Sequence, residues 1–173
     1  MTLHSLAVAA HVAGGVGAVA VGLFAAVAPK FGRRANWHRR LGRLYLALLG
    51  TSSVVGIPLA FSRDNTYLLL VGAFTAAFLA FGWRTIILAR RERNRVRADR
   101  LLRQHVIWMG GSYIGAWSGF FANNFVFGTD TEAAIWFYAF GPTVIGAVVL
   151  AVTVPRVQWR RPTSPPTRVP PTR

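Results

Sequence analysis

The sequence predicts an all-α integral membrane protein, a five-helix transmembrane bundle, with four helices plus a peripheral, kinked fifth as the alternative. Three observations carry this. Of 173 residues, 53% are hydrophobic and only 14% charged, outside the usual range for a soluble domain. The apolar residues form five long uncharged runs, each about the length that a bilayer requires. The basic residues bracket those runs instead of mixing with the aromatics, so the formal charge of +15 does not describe a nucleic-acid surface.

The runs cover residues 5–28, 44–61, 67–83, 106–127 and 133–154. A spanning helix needs about 20 apolar residues for a hydrocarbon core about 30 Å thick. The second and third runs are short, but Arg43 and Arg84 can snorkel, and the third resumes beyond Arg84 with residues 85–89. The runs are continuous and do not alternate, which excludes a β-barrel reading. Gly141 and Pro142 interrupt the fifth run and predict a kink there. The first run resembles a signal peptide, yet its n-region, MTLHSL, has no positive charge and the basic cluster follows the run. An uncleaved anchor is expected. Residues 1–155 then form one membrane domain, and 156–173, rich in proline and arginine, a disordered cytoplasmic tail.

Arginine placement sets the expected orientation. Lys30, Arg33, Arg34, Arg39, Arg40 and Arg43 lie between the first two runs. Arg90, Arg91, Arg93, Arg95, Arg97, Arg100 and Arg103 lie between the third and fourth, in a stretch expected to extend both helices. The opposite side offers Arg63 beside Asp64, then Asp130 and Glu132. The positive-inside rule puts the N-terminus outside and the C-terminus in the cytoplasm of a plasma-membrane protein. Trp37 and Trp108 are expected at the inner interface, and Tyr67 and Trp136 at the outer one. The partner this implies is a bilayer with anionic headgroups at its cytoplasmic face, not nucleic acid. A homo-oligomer or a larger membrane complex is compatible with the sequence.

Within the runs there is no Asp or Glu, which removes the usual proton-relay carboxylate. No Ser or Thr has a His-plus-acid arrangement for hydrolysis, and the absence of cysteine excludes thiolate ligation. Four histidines remain. On the first helix His4, His11, Gly15, Ala18 and Gly22 share a stripe, and on the fourth His105, Ser112, Ala116, Gly119 and Asn123 do. Ile107, Ile114, Trp117, Phe121 and Phe125 occupy the opposite side of the fourth helix and are expected to face lipid. Gly111, Gly115 and Gly119 form a GxxxG ladder, expected to contact the first helix. Depth groups the polar residues into two layers, His11 with Asn123 outside and His38 with His105 inside.

These residues resemble the bacterial multispan membrane family known as domain of unknown function 2306. The similarity covers roughly residues 8–124. It consists of His11-x-x-Gly14 and Gly22, then His38-Arg39-x-x-Gly42-Arg43-x-Tyr45, Trp83, and His105-x-x-Trp108-Met109-x-x-Ser112-Tyr113. The chain has Gly110 and Gly111 where the family usually carries basic residues, and Asn123-Asn124 near a usual arginine. The resemblance implies a multispan membrane fold and brings no activity.

Three functional readings stay open. One is a redox-linked subunit in which His38 and His105 bind haem b, with Arg39, Arg43 and Arg103 neutralising its propionates or the oxygens of a quinone-like ligand. Another is a small-solute transporter or channel with His11 and Asn123 as an uncharged polar path. The third is a scaffold in which His38 and His105 cap helix ends against lipid phosphate. Any metal is expected at His38 and His105, and no enzymatic constellation is visible.

Overall fold

Five helices form close to the uncharged runs. The structure, a computed structural model, describes residues 2–30, 35–62, 65–125 and 132–156. Helix α1 is Leu3–Val27, α2 Ala35–Phe61, α3 Thr66–Arg91, α4 Arg95–Phe125 and α5 Glu132–Thr153. Helices α1, α2 and α3 are each long and apolar enough to cross a membrane, and the described apolar part of α5 is Phe140–Thr153. Large apolar side chains such as Phe24, Val54, Phe74 and Ile145 are more than half exposed on the outside of the bundle. In water such a belt would be a liability; in a bilayer it is the surface that solvates the protein.

The helix ends follow from local chemistry. Thr2 Oγ1 accepts from Ser5 N–H at 3.2 Å, and Asn65 Oδ1 from Leu68 N–H at 3.0 Å, so both α1 and α3 have side-chain N-caps. Asn94 Oδ1 accepts from Val96 and Arg97 N–H at 3.0 and 3.2 Å and starts α4. Only Glu92 to Asn94 separate α3 from α4, so the basic stretch does extend both helices. Arg90 and Arg91 sit in the last turn of α3, where the helix dipole favours cations. Past the end of α1, Lys30 Nζ donates to Ala26 O at 2.7 Å, and partial burial lowers its pKa from the ordinary lysine value.

Four helices close a ring: α1 packs on α2, α2 on α3, α3 on α4, and α4 returns to α1. Neighbours run antiparallel, so α2 and α4 are parallel to each other and stand on one diagonal of the ring. Small residues let the backbones approach. A Cβ on Gly14 would lie 3.0 Å from Leu48 O, and one on Gly22 would lie 2.7 Å from Tyr113 and 2.9 Å from Tyr45. The ring's core is Ala18, Tyr45, Leu49 and Leu79, with Met109 and Tyr113 packed against it.

Two expectations about α4 are corrected by its neighbours. Its glycine ladder faces α3, not α1: Gly111 meets Phe78, Gly115 meets Thr75 and Gly119 meets Val71. The face expected to meet lipid is covered by α5 in part, while Ile107 stays exposed. Ile114 fills the notch over Gly146, Leu150 lies over Gly110, and Phe121 stacks on Tyr138 at 6.5 Å. The stripe of a helix shows that it has a packing face; it does not show which neighbour takes that face. Helix α5 therefore lies outside the four-helix ring. It is one continuous helix through Pro142, fixed to α4 by the Ser118–Thr143 hydroxyl pair at 2.9 Å.

Candidate functional site

The polar residues of the ring fall on two levels, named outer and inner after the expected orientation. At the outer level His11 and Ser52 bind each other twice. The imidazole Nδ1 lies 2.9 Å from Ser52 O, and Ser52 Oγ donates to His11 O at 2.9 Å. A carbonyl can only accept, so Nδ1 carries the proton. The ring lies against Gly56, where a Cβ would come within 2.5 Å of it. His11 thus joins α1 to α2. Asn123 belongs to the last turns of α4, and its side chain lies outside the described residues, as do Trp136, Arg33, Arg34, Arg63, Asp64, Asp130 and the tail from 157 onward. His4 is exposed near the start of α1.

The inner level holds His38 and His105, on α2 and α4. Each Nδ1 donates to a backbone carbonyl of the neighbouring helix, His38 to Ala25 O and His105 to Gly82 O, both at 2.8 Å. Since the acceptors are carbonyls, both rings have Nδ1–H, and each neutral Nε2 keeps its lone pair. Among the described residues no protein group bonds either Nε2. Both rings are partly buried, and the two are within electrostatic reach of each other. Lys30 is within such reach of His38, and Arg90 of His105. Arg39, Arg43 and Arg103 are exposed. Arg39 donates to Asn36 Oδ1, and Arg43 Nε donates to Arg39 O at 3.4 Å. These arginines rim the inner level without bonding an imidazole.

Above the histidines, toward the membrane centre, lies a polar bridge that sequence reasoning missed. Ser112 Oγ donates to Met109 O at 2.8 Å, and the Tyr45 hydroxyl lies 2.9 Å from Ser112 Oγ. With its proton committed to Met109, Ser112 accepts, so the phenol donates. Tyr113 OH donates to Val19 O at 3.2 Å, and its ring centroid is 6.5 Å from that of Tyr45. A signal was available. Tyr45 follows His38 by seven residues, and Ser112 follows His105 by seven, on two parallel helices.

Between His38 and Tyr45 on the same side of α2 is Gly42. A Cβ there would meet nothing within 4 Å. Of the glycines named above, those at helix contacts have neighbours at or inside van der Waals distance; this one borders open space. Trp108, expected at the inner interface, packs between Phe78 and Phe81, with centroids 5.3 and 5.2 Å away.

The donor set limits what the site can hold. Among the described residues there is no group of three or more His, Cys, Asp or Glu able to hold a metal ion. Two imidazoles alone are an incomplete shell for a bare zinc ion. They could hold only a metal that brought further ligands of its own.

No curated protein and no solved structure is significantly similar to this chain. The motif residues that form the inner level, together with α5, all fall within residues 8–158, which match one family model, and the chain belongs to the family described as predicted membrane protein (DUF2306).

Proposed function

We propose that this membrane protein is a redox-linked subunit that holds haem b through His38 and His105 at the cytoplasmic end of its helix ring. One observation carries the reading: both imidazoles use Nδ1–H on a carbonyl of a neighbouring helix, leaving two Nε2 atoms unbonded among the described residues. An Nδ1–H bond to a backbone carbonyl is the usual support of a metal-ligating histidine, because it fixes the ring and raises the basicity of Nε2. Facing helices of a bundle are the usual place for such a pair. The open space at Gly42 supports room for a ligand beside them. Lys30 and Arg90, with Arg39, Arg43 and Arg103 at the rim, would pair with propionates. Bound there, haem supplies one-electron chemistry, while the chain supplies the two ligands, their orientation and the cationic rim.

The orientation goes with this reading: N-terminus outside, histidine level and arginines among the anionic headgroups of the inner leaflet of the plasma membrane. A solute path through His11 and Asn123 has less to support it, since His11 is tied twice to Ser52.

The test is an absorption spectrum of protein purified in mild detergent from cells supplied with haem. A Soret band is expected, lost equally in His38→Ala and His105→Ala and kept in His11→Ala. A wild-type protein that folds, elutes as a single species and shows no Soret band refutes the reading.

A further inference from the structure

Helices α2 and α4 stand on the ring's diagonal, so backbone packing does not fix their separation. We infer that Tyr45 and Ser112 are positioning residues: their hydrogen bond is a strut that sets the separation of His38 and His105. This rests on the haem reading for its purpose, though not for its geometry.

Among the described residues, the hydrogen bond that crosses from α2 to α4 is the one between these two hydroxyls, at 2.9 Å. Both ends are rigidly held. Tyr45 is 3% exposed, with its ring passing Gly22 at a point where any side chain on α1 would collide. Ser112 is completely buried and is anchored to Met109 O. Seven residues are nearly two helical turns and return to the same side within about 20°. Each histidine therefore lies directly below one end of the strut, by about 10.5 Å along its own helix. A change in spacing at the strut is passed to the imidazoles by two stiff helical turns. A ligand held by both imidazoles would tolerate little error in that spacing.

The two ends predict different consequences. Tyr45→Phe removes the phenol and leaves Ser112 still bonded to Met109 O, so no buried group is stranded. Ser112→Ala leaves the Tyr45 hydroxyl in the core without its acceptor, the costlier outcome. The double variant should resemble Tyr45→Phe, because the stranded hydroxyl is gone.

The chain has no cysteine, so spin labels can be placed cleanly at Arg40→Cys and Gln104→Cys, exposed positions beside the two histidines. Pulsed dipolar spectroscopy of this pair in detergent, without added haem, should give one distance. Tyr45→Phe should broaden its distribution, and Ser112→Ala should broaden and shift it. Ser118→Ala, which breaks the α4–α5 hydroxyl pair instead, should leave it unchanged. Haem titration of the unlabelled variants should show affinity at least tenfold weaker for Ser112→Ala, the usual scale for support residues. Unchanged distances in both strut variants overturn the inference, whether or not haem binds. Shifted distances in a protein that takes up no haem keep the strut and remove the haem reading. Altered distances with unaltered haem affinity overturn the positioning role, because the strut would not govern the ligand.

Discussion

Gly115 and Gly42 should respond to alanine with opposite signs, and the difference can be worked from their surroundings. At Gly115 a Cβ would collide with Thr75 Oγ1 and lie 3.2 Å from Thr75 Cβ and 3.5 Å from its Cα. The Thr75 hydroxyl cannot simply swing away. It is 4% exposed and donates to Val71 O at 2.7 Å, so rotation costs a buried hydrogen bond. Either that bond breaks or α3 and α4 move apart, and overpacking of this kind costs about 1–3 kcal/mol. At Gly42 a Cβ meets nothing within 4 Å. There only helix propensity acts, and alanine gains about 1 kcal/mol over glycine. Propensity is common to both positions, so the difference between the two variants isolates the clash, about 1–3 kcal/mol. Unfolding by sodium dodecyl sulfate from mild micelles, followed by far-ultraviolet circular dichroism, measures both midpoints. Gly42→Ala should rise and Gly115→Ala fall below it by that margin. Equal midpoints would mean that α3 and α4 do not meet at Thr75, and the packing of the ring would need revision.

Other outcomes follow from single contacts. A cysteine at Ser62 should react with an impermeant maleimide in intact cells and one at Arg93 only after permeabilisation; the reverse would invert the orientation. Ser52→Ala should destabilise the bundle by about 1–2 kcal/mol in the same denaturation assay, as it removes the Ser52 hydroxyl's bond to His11 O; no change would show that the pair is not formed. Because the arginines of the α3–α4 turn form no ion pair among the described residues, vesicles rich in anionic lipid should protect this turn from trypsin more than neutral vesicles, and salt should reduce the difference. Equal cleavage in both would separate those arginines from the headgroups. In haem-supplied protein Gly42→Leu should weaken the Soret band while leaving the unfolding midpoint at or above that of the parent. A full-strength band would put the open space at Gly42 outside the ligand's reach.

The helices were legible because uncharged length is a constraint that a bilayer imposes on each segment separately. Residues 5–28 become Leu3–Val27, and residues 67–83 extend through Arg84 to Arg91, since lipid does not oppose arginines at the headgroup level. What the sequence obscured was pairing. The Gly111, Gly115 and Gly119 ladder is a valid sign of close contact, but a ladder of missing side chains is compatible with any partner that offers a matching ridge. Thr75, Phe78 and Val71 of α3 happen to supply it. The same ambiguity assigned Ile114 to lipid, because an apolar face suits lipid and α5 equally well. Depth could be inferred for His38 and His105 from the distance of each to the end of an apolar run. Their relation across the ring could not be, until the antiparallel packing made α2 and α4 parallel.

That parallel pair gives the family motif its physical sense. His38-x-x-x-Gly42-x-x-Tyr45 and His105-x-x-x-Met109-x-x-Ser112 are the same seven-residue step taken on two helices that run the same way. In each, the histidine comes first and a hydroxyl lies two turns further along the helix. The hydroxyls meet at 2.9 Å between two buried side chains, where a poorly placed donor would cost more than an apolar substitute. The histidines have their Nδ1 atoms occupied by Ala25 and Gly82, so the rings are oriented before any ligand arrives. Helix-end histidines that only meet lipid phosphate would need neither device. A phosphate accepts from whichever nitrogen is protonated and follows a mobile ring, so fixed tautomers and a fixed diagonal confer no advantage there. Two acceptor nitrogens on rings fixed in this way would confer one on a ligand held by both. That is the physical ground for preferring a bridged ligand to a pair of caps, and the spectra of His38→Ala and His105→Ala decide between them.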